Sequence, residues 1–236
     1  MKIGGFLKQS FIDYPGNIAS VIFTSGCNFR CFYCHNPDLV LPERIQENQF
    51  IEESEIFDSL LKNKSFLDAV VITGGEPTIH KDLPEFIKKI KEFNLLVKLD
   101  TNGTDPDLVK SLINREMVDY IAMDVKSTLE INKYKAIVGE QFNSKELDRI
   151  KESVNLIINS GINFEFRTTL LKPFHSFEEI EDISSHLSGN YYLQQYRSLN
   201  SLNHCNKNFR QFKAQEIDRW RPKITKKEIN INYRTN

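Results

Sequence analysis

Cys27, Cys31 and Cys34 fall within eight residues, in the run Gly26-Cys27-Asn28-Phe29-Arg30-Cys31-Phe32-Tyr33-Cys34-His35-Asn36. Thiolates are the usual ligands of iron–sulfur clusters, and a cube of four irons takes one ligand per iron. A triplet therefore leaves one iron without a protein ligand, and an open metal position is where an outside group can bind and react. The same thiols could instead hold zinc together with a histidine such as His35 or His204, because three cysteines and one histidine are a common structural set. A disulfide framework explains the spacing poorly. Three cysteines at i, i+4 and i+7, with the fourth far away at Cys205, would staple little of a chain of 236 residues. Cys205 reads as a free, buried thiol.

The elements that must position these cysteines are legible as a rhythm. From residue 18 onward short apolar runs alternate with longer amphipathic ones, the βαβα pattern of a parallel sheet covered by helices. The runs predict six strands, at about 18–25, 68–73, 95–100, 119–125, 162–170 and 191–196. Apolar residues at i, i+3, i+4 and i+7 predict helices through Leu83, Phe86, Ile87 and Ile90 and through Leu147, Ile150, Val154 and Ile157. Ile56/Leu60, Leu108/Leu112 and Ile180/Ile183/Leu187 mark three more. Right-handed crossovers curl such a sheet toward a barrel, but six βα units fall short of the eight that close one. The expected fold is α/β, a partial, open-sided (β/α)6 parallel barrel over residues 1–200, with 201–236 as a C-terminal extension packed on the same domain.

In parallel α/β sheets functional groups gather in the loops at the carboxyl ends of the strands. The cysteine triplet follows the first predicted strand. Thr73-Gly74-Gly75-Glu76-Pro77 follows the second; its glycines allow close backbone approach, and Glu76 can accept hydrogen bonds from an ammonium group. Asp100-Thr101-Asn102-Gly103 ends the third strand and Asp124-Val125-Lys126 the fourth, while Arg167 lies in the fifth and Gln194, Gln195 and Arg197 lie around the sixth. Each has a plainer reading. Gly-Gly-Glu-Pro can be only a turn, Asp124 and Lys126 a surface ion pair, Arg167 an interior charge paired with Glu165 or Asp100, and His35 a ring packed beside the cysteine loop.

Composition narrows the classes. Hydrophobic residues at 40%, charged residues at 27%, 17 Phe and 8 Tyr suit a globular chain with a sizeable core. The net charge of −1 supplies no global field to attract nucleic acid or an anionic membrane. Apolar runs such as Ile18 to Phe23 are far short of the ~20 residues that span a bilayer, and residues 1–8 do not read as a signal peptide. The expectation is a cytoplasmic protein with neither nucleic-acid nor membrane partner. From Lys207 to Glu228, eight Lys or Arg stand against three acids, which reads as a solvated helix face.

A Cys-x3-Cys-x2-Cys loop after strand one, followed by Gly-Gly-Glu-Pro after strand two, resembles the radical S-adenosylmethionine (SAM) superfamily. Asp13-Tyr14-Pro15-Gly16, Tyr33-Cys34-His35-Asn36, Asp100-Thr101-Asn102-Gly103 and Asp124-Val125-Lys126 resemble its glycyl-radical-enzyme activases, a likeness that covers residues 1 to about 200. The resemblance implies that Cys27, Cys31 and Cys34 hold a [4Fe-4S] cluster whose fourth iron is chelated by SAM. It implies Gly74, Gly75 and Glu76 around the methionine moiety, Tyr33 and His35 toward the adenine, and Asn102, Asp124, Lys126, Arg167 and Arg197 as further cofactor contacts. The implied activity is reductive cleavage of SAM to a 5′-deoxyadenosyl radical that takes an α-hydrogen from a glycine of a partner. The implied partner is anaerobic ribonucleoside-triphosphate reductase, with pyruvate formate-lyase or a related glycyl-radical enzyme, or a small molecule or peptide, as alternatives. The electron would come from a low-potential donor such as flavodoxin or ferredoxin.

Overall fold

A computed structural model describes residues 1–45, 50–197, 209–224 and 228–234. Among the described residues eight strands, β1 to β8, stand in chain order in one sheet. The chain divides into two compact units, one of Met1–Asn28, Asp38–Thr101 and Asp105–Ala122, the other of Phe29–Pro37, Asn102–Thr104 and Met123–Asn236.

In the first unit β1 (Ile3–Tyr14) and β2 (Asn17–Thr24) form an antiparallel hairpin. Its turn is Pro15-Gly16, with Gly16 at φ 75°, where a side chain would be strained. β3 (Ala69–Gly74) runs parallel to β2, with Ile22 opposite Ile72, and β4 (Leu96–Thr101) runs parallel to β3, with Ile72 opposite Leu99. Val70, Val71 and Ile72 are all buried, which is why the run reads as continuously apolar: a parallel strand is covered on both faces. β5 (Tyr120–Asp124) begins in this unit and ends in the other. Helices α1 (Pro37–Val40), α2 (Glu53–Asn63), α3 (Leu83–Lys91) and α4 (Pro106–Asn114) lie between the strands. α3 buries Leu83, Phe86, Ile87 and Ile90, each worth about 1.5–3 kcal/mol, and places Lys88, Lys89 and Lys91 at its negative C-terminal end. α4 is started by Asp105, whose side chain accepts from Leu108 N at 3.2 Å.

The second unit carries the parallel strands β6 (Asn163–Leu170), β7 (Gly189–Gln195) and β8 (Ile229–Arg234). Its helices are α5 (Ile131–Val138), α6 (Ser144–Ile158), α7 (Phe177–Ser185) and α8 (Ala214–Trp220). Capping boxes, Asn143 with Glu146 and Ser176 with Glu179, fix the starts of α6 and α7. The buried Glu165 of β6 receives two hydrogen bonds from Arg234 of β8, at 3.0 and 2.8 Å, which ties the last strand down.

Six of the strands match the predicted runs within two residues at each end. β1 and β8 are additions to the expected (β/α)6 set, and so are α1 and α5. β1 hides because Gly4-Gly5 opens it and because Leu7, Phe11 and Ile12 are exposed, so it shows no alternating burial. β8 is short and polar between its apolar positions. α8 lies within the basic run and buries Ile217 alone, in keeping with a solvated face. His204, Cys205, Lys207, Lys226 and Lys227 lie outside the described residues.

Candidate functional site

In the first unit the loop after β2 carries Cys27, and the loop after β3 is interlocked with it. Gly75 N donates to Thr24 O and Glu76 N to Gly26 O, both at 2.8 Å. A Cβ on Gly75 would stand 1.9 Å from Gly26 O, and one on Gly74, whose φ is 106°, would stand 2.6 Å from Thr24 N. The two glycines therefore admit the backbone of the cysteine loop itself. Glu76 is 1% exposed, and its Oε1 accepts from Thr78 N at 3.1 Å, Thr78 Oγ1 at 2.6 Å and Thr101 Oγ1 at 2.7 Å. A nearly buried Lys98 donates to Asp13 O at 2.6 Å and stands 3.5 Å from Asp100 Oδ1, linking the strand that ends in Asp100-Thr101 to the β1–β2 turn.

In the second unit the rest of the cysteine motif hangs on α5. Arg30 N donates to Val138 O at 2.8 Å, Phe32 N to Ile137 O at 3.3 Å, and Phe29 packs edge-on against Phe142. Cys34 N donates to Cys31 O at 2.9 Å, a tight turn that sets two thiols three residues apart on one loop. Burial pushes the Cys31 thiol up to about 11, with the Lys126 charge opposing, and burial also raises Cys34. Tyr33 is 3% exposed, its hydroxyl has no hydrogen-bond partner among the described residues, and burial raises its pKa.

Beside this loop, Asp124 Oδ1 accepts from Arg167 Nε at 2.7 Å and Oδ2 from Lys126 Nζ at 2.8 Å. Burial alone would raise the Asp124 carboxyl, but the Arg167 and Lys126 charges outweigh it and hold the carboxyl well below the usual range. Burial likewise opposes the Lys126 ammonium, yet Asp124, Tyr33 and Cys31 keep its pKa above the ordinary value. Lys126 N donates to the Tyr134 hydroxyl at 3.1 Å, and a ring nitrogen of the buried His175 lies 3.1 Å from Lys126 O. Arg167 is thus paired with Asp124, and Glu165 with Arg234, where the sequence had offered Arg167 a partner in Glu165 or Asp100.

His35 stacks on Tyr196, and its Nε2 lies 3.1 Å from Arg197 O and 3.3 Å from Arg197 N. The two predicted residues meet through the Arg197 main chain, and burial lowers the His35 pKa. Asn102 is 5% exposed; its Oδ1 accepts from Thr104 N at 3.0 Å and Thr104 Oγ1 at 2.7 Å, a side-chain turn that shapes the loop after β4. Sequence reasoning missed Thr78, Thr101 and Tyr134. Thr101 stood inside a motif already singled out, and Thr78 lies two residues beyond Glu76.

The donor set suits a thiolate-ligated cluster. Cys27, Cys31 and Cys34 are free of disulfides, and the raised thiols of Cys31 and Cys34 are the state from which a metal displaces protons on binding. Among the described residues no three His, Cys, Asp or Glu side chains converge on one point as a single metal ion needs; a four-iron cube takes each thiolate at a different iron. The buried Tyr33 hydroxyl, without a partner among the described residues, suits a polar ligand nearby. No helix among the described residues is long and apolar enough to cross a membrane.

A family model described as the Radical SAM superfamily matches residues 21–187, more than half of the chain. The chain is 35% identical over 238 residues to a putative glycyl-radical enzyme activating enzyme of Methanocaldococcus jannaschii, spanning 99% of this chain and 95% of that protein. It is 34% identical over 125 residues to the pyruvate formate-lyase-activating enzyme of Listeria monocytogenes, spanning 49% of each. A solved radical SAM methyltransferase from Sphaerobacter thermophilus matches with a TM-score of 0.70 at 14% identity, over 97% of this chain and 69% of that one, a likeness of fold alone.

Proposed function

The chain belongs to the radical SAM superfamily, and from that premise we propose that it is the activase of a glycyl-radical enzyme, its target being anaerobic ribonucleoside-triphosphate reductase. The observation that carries the reading is the match along 99% of the chain to a putative enzyme of that class, joined to the three-cysteine loop. When bound, a reduced [4Fe-4S] cluster supplies the low-potential electron that breaks the C5′–S bond of SAM and yields the 5′-deoxyadenosyl radical.

The chain's own residues hold, orient and shield. Cys27, Cys31 and Cys34 would ligate three irons and leave the fourth to the amino and carboxylate groups of SAM. Glu76, buried and held by hydrogen bonds to its Oε1 from Thr78 and Thr101, would accept from an N–H of that amino group. Gly74 and Gly75 keep the Glu76 loop pinned to the cysteine loop. The Tyr33 hydroxyl and the Lys126 ammonium are donors beside Cys31, and Asp124 fixes both Lys126 and Arg167. Asn102, His35 and Arg197 would shape the nucleoside side. A primary radical reacts with nearly any C–H bond, so positioning of the target and exclusion of water govern the outcome. Glycine suits the target role because a loop without a side chain can enter a narrow opening.

The electron donor would be a low-potential flavodoxin or ferredoxin of the cytoplasm. The Listeria monocytogenes match favours pyruvate formate-lyase as a second target. Mixing reduced, cluster-loaded protein and SAM anaerobically with each candidate enzyme tests the choice. A glycyl-radical doublet in the electron paramagnetic resonance spectrum of the reductase supports the first reading. A doublet in pyruvate formate-lyase alone supports the second.

A further inference from the structure

We propose that Thr78 and Thr101 are positioning residues that hold the Glu76 carboxylate in one orientation, as the acceptor for an N–H of the α-amino group of SAM. The inference rests on the activase reading and deepens it. Thr101 closes β4, the neighbour of β3, and Thr78 sits in the 3₁₀ turn Pro77–Ile79 that follows Glu76. Their hydroxyls are 3% and 4% exposed as residues and reach the same oxygen, Oε1, at 2.7 and 2.6 Å, with Thr78 N adding a third bond at 3.1 Å.

Two separate elements grip one carboxylate oxygen, which stops rotation of the group about its terminal bond. A hydroxyl between two acceptors can turn away, but here each has a charged acceptor within short range, and bonds to an ionised acceptor are roughly twice as strong as neutral ones. The main chain adds a further constraint, because Glu76 N donates to Gly26 O, one residue before Cys27. Orientation of Glu76 is therefore set by the strand end, the 3₁₀ turn and the start of the cysteine loop together. A merely structural role would cap the 3₁₀ turn and influence every ligand alike. A positioning role discriminates by the amino group.

Calorimetric titration of the oxidised, cluster-loaded protein, which does not turn over, separates these. Wild type and the variants Thr78→Val, Thr101→Val, Thr78→Ser and Thr101→Ser are each titrated with SAM and with its desamino analogue. We expect wild type to prefer SAM by at least about tenfold, and each Val variant to bind SAM about tenfold more weakly, as loss of one hydrogen bond to a charge implies. The Val variants should bind the analogue within about twofold of wild type, and the Ser variants should regain the preference. Thr78→Ala gives the same readout if a Val variant does not fold. Equal weakening of both ligands, or no weakening of either, overturns the proposal. Wild type that binds both ligands equally also overturns it while leaving the activase reading intact. Wild type that binds neither defeats that reading as well.

Discussion

Asp124 is the hinge of the charged group beside Cys31, and its replacement by Asn is the sharpest stability test of that arrangement. Two charge-assisted hydrogen bonds, 2.7 Å from Arg167 and 2.8 Å from Lys126, converge on its two oxygens. The side chains of Arg167 and Lys126 are 11% and 14% exposed, so the variant would leave two largely buried cations without their anion. Removing one partner of a buried pair costs about 3–5 kcal/mol. Asp124 itself is 27% exposed, and water can reach the gap, which places the expected loss at the lower end, about 3 kcal/mol.

For a chain of this length each kcal/mol moves Tm by about 2–4 °C, so Asp124→Asn should melt roughly 6–12 °C below wild type at pH 7. The pH dependence has a fixed sign. The Asp124 pKa is depressed in the folded protein, so its contribution is fully present above the unfolded value of about 3.9 and is lost as pH falls below it toward the folded value. The gap between wild type and variant, followed by urea unfolding from pH 7 to pH 3, should hold steady and then narrow below about pH 4. A gap that is absent at pH 7, or that widens in acid, would refute the reasoning.

Other outcomes are equally open to measurement. Burial pushes Cys31 up to about 11, so peptide-resolved alkylation of cluster-free protein at pH 8 should find it slower than Cys34, speeding about tenfold per pH unit; labelling as fast as that of Cys34 contradicts this. Gly75→Ala would drive a Cβ to 1.9 Å from Gly26 O and break the loop interlock, so iron content after reconstitution should fall with stability; wild-type values for both would show that the loops are not locked. Glu165→Gln weakens the two bonds to Arg234, and amide exchange across Ile229–Arg234 should accelerate while β6 stays protected; unchanged exchange there means β8 is held by its ladder alone.

The parallel core was open to reading because its strands are covered on both faces and so appear as unbroken apolar runs, Val70-Val71-Ile72 most plainly. The edges were not. β1 exposes Leu7, Phe11 and Ile12 and contains two glycines, and β8 gains its place from an ion pair with Glu165 that no local pattern announces. At the site, the cysteine spacing and the Gly-Gly-Glu-Pro loop carried the chemistry, but the use of the glycines did not follow from sequence: they yield to Thr24 and Gly26. Partners likewise came only from the fold. Arg167 finds Asp124 because the next residue, Val125, donates its N–H to Arg167 O, and Glu76 finds Thr101 because β3 and β4 are neighbours. α5 stayed hidden because its lysines interrupt a short apolar face of Tyr134, Ile137 and Val138, although its last carbonyls carry the cysteine loop.

The central claim is that three thiols hold an iron cube open to SAM. The direct test is to reconstitute the protein anaerobically with iron and sulfide, reduce it, add SAM, and quantify 5′-deoxyadenosine against bound iron. About four irons per chain and production of 5′-deoxyadenosine and methionine are expected, both lost in Cys31→Ala. Protein that takes up a single zinc ion in place of iron and leaves SAM intact would contradict it.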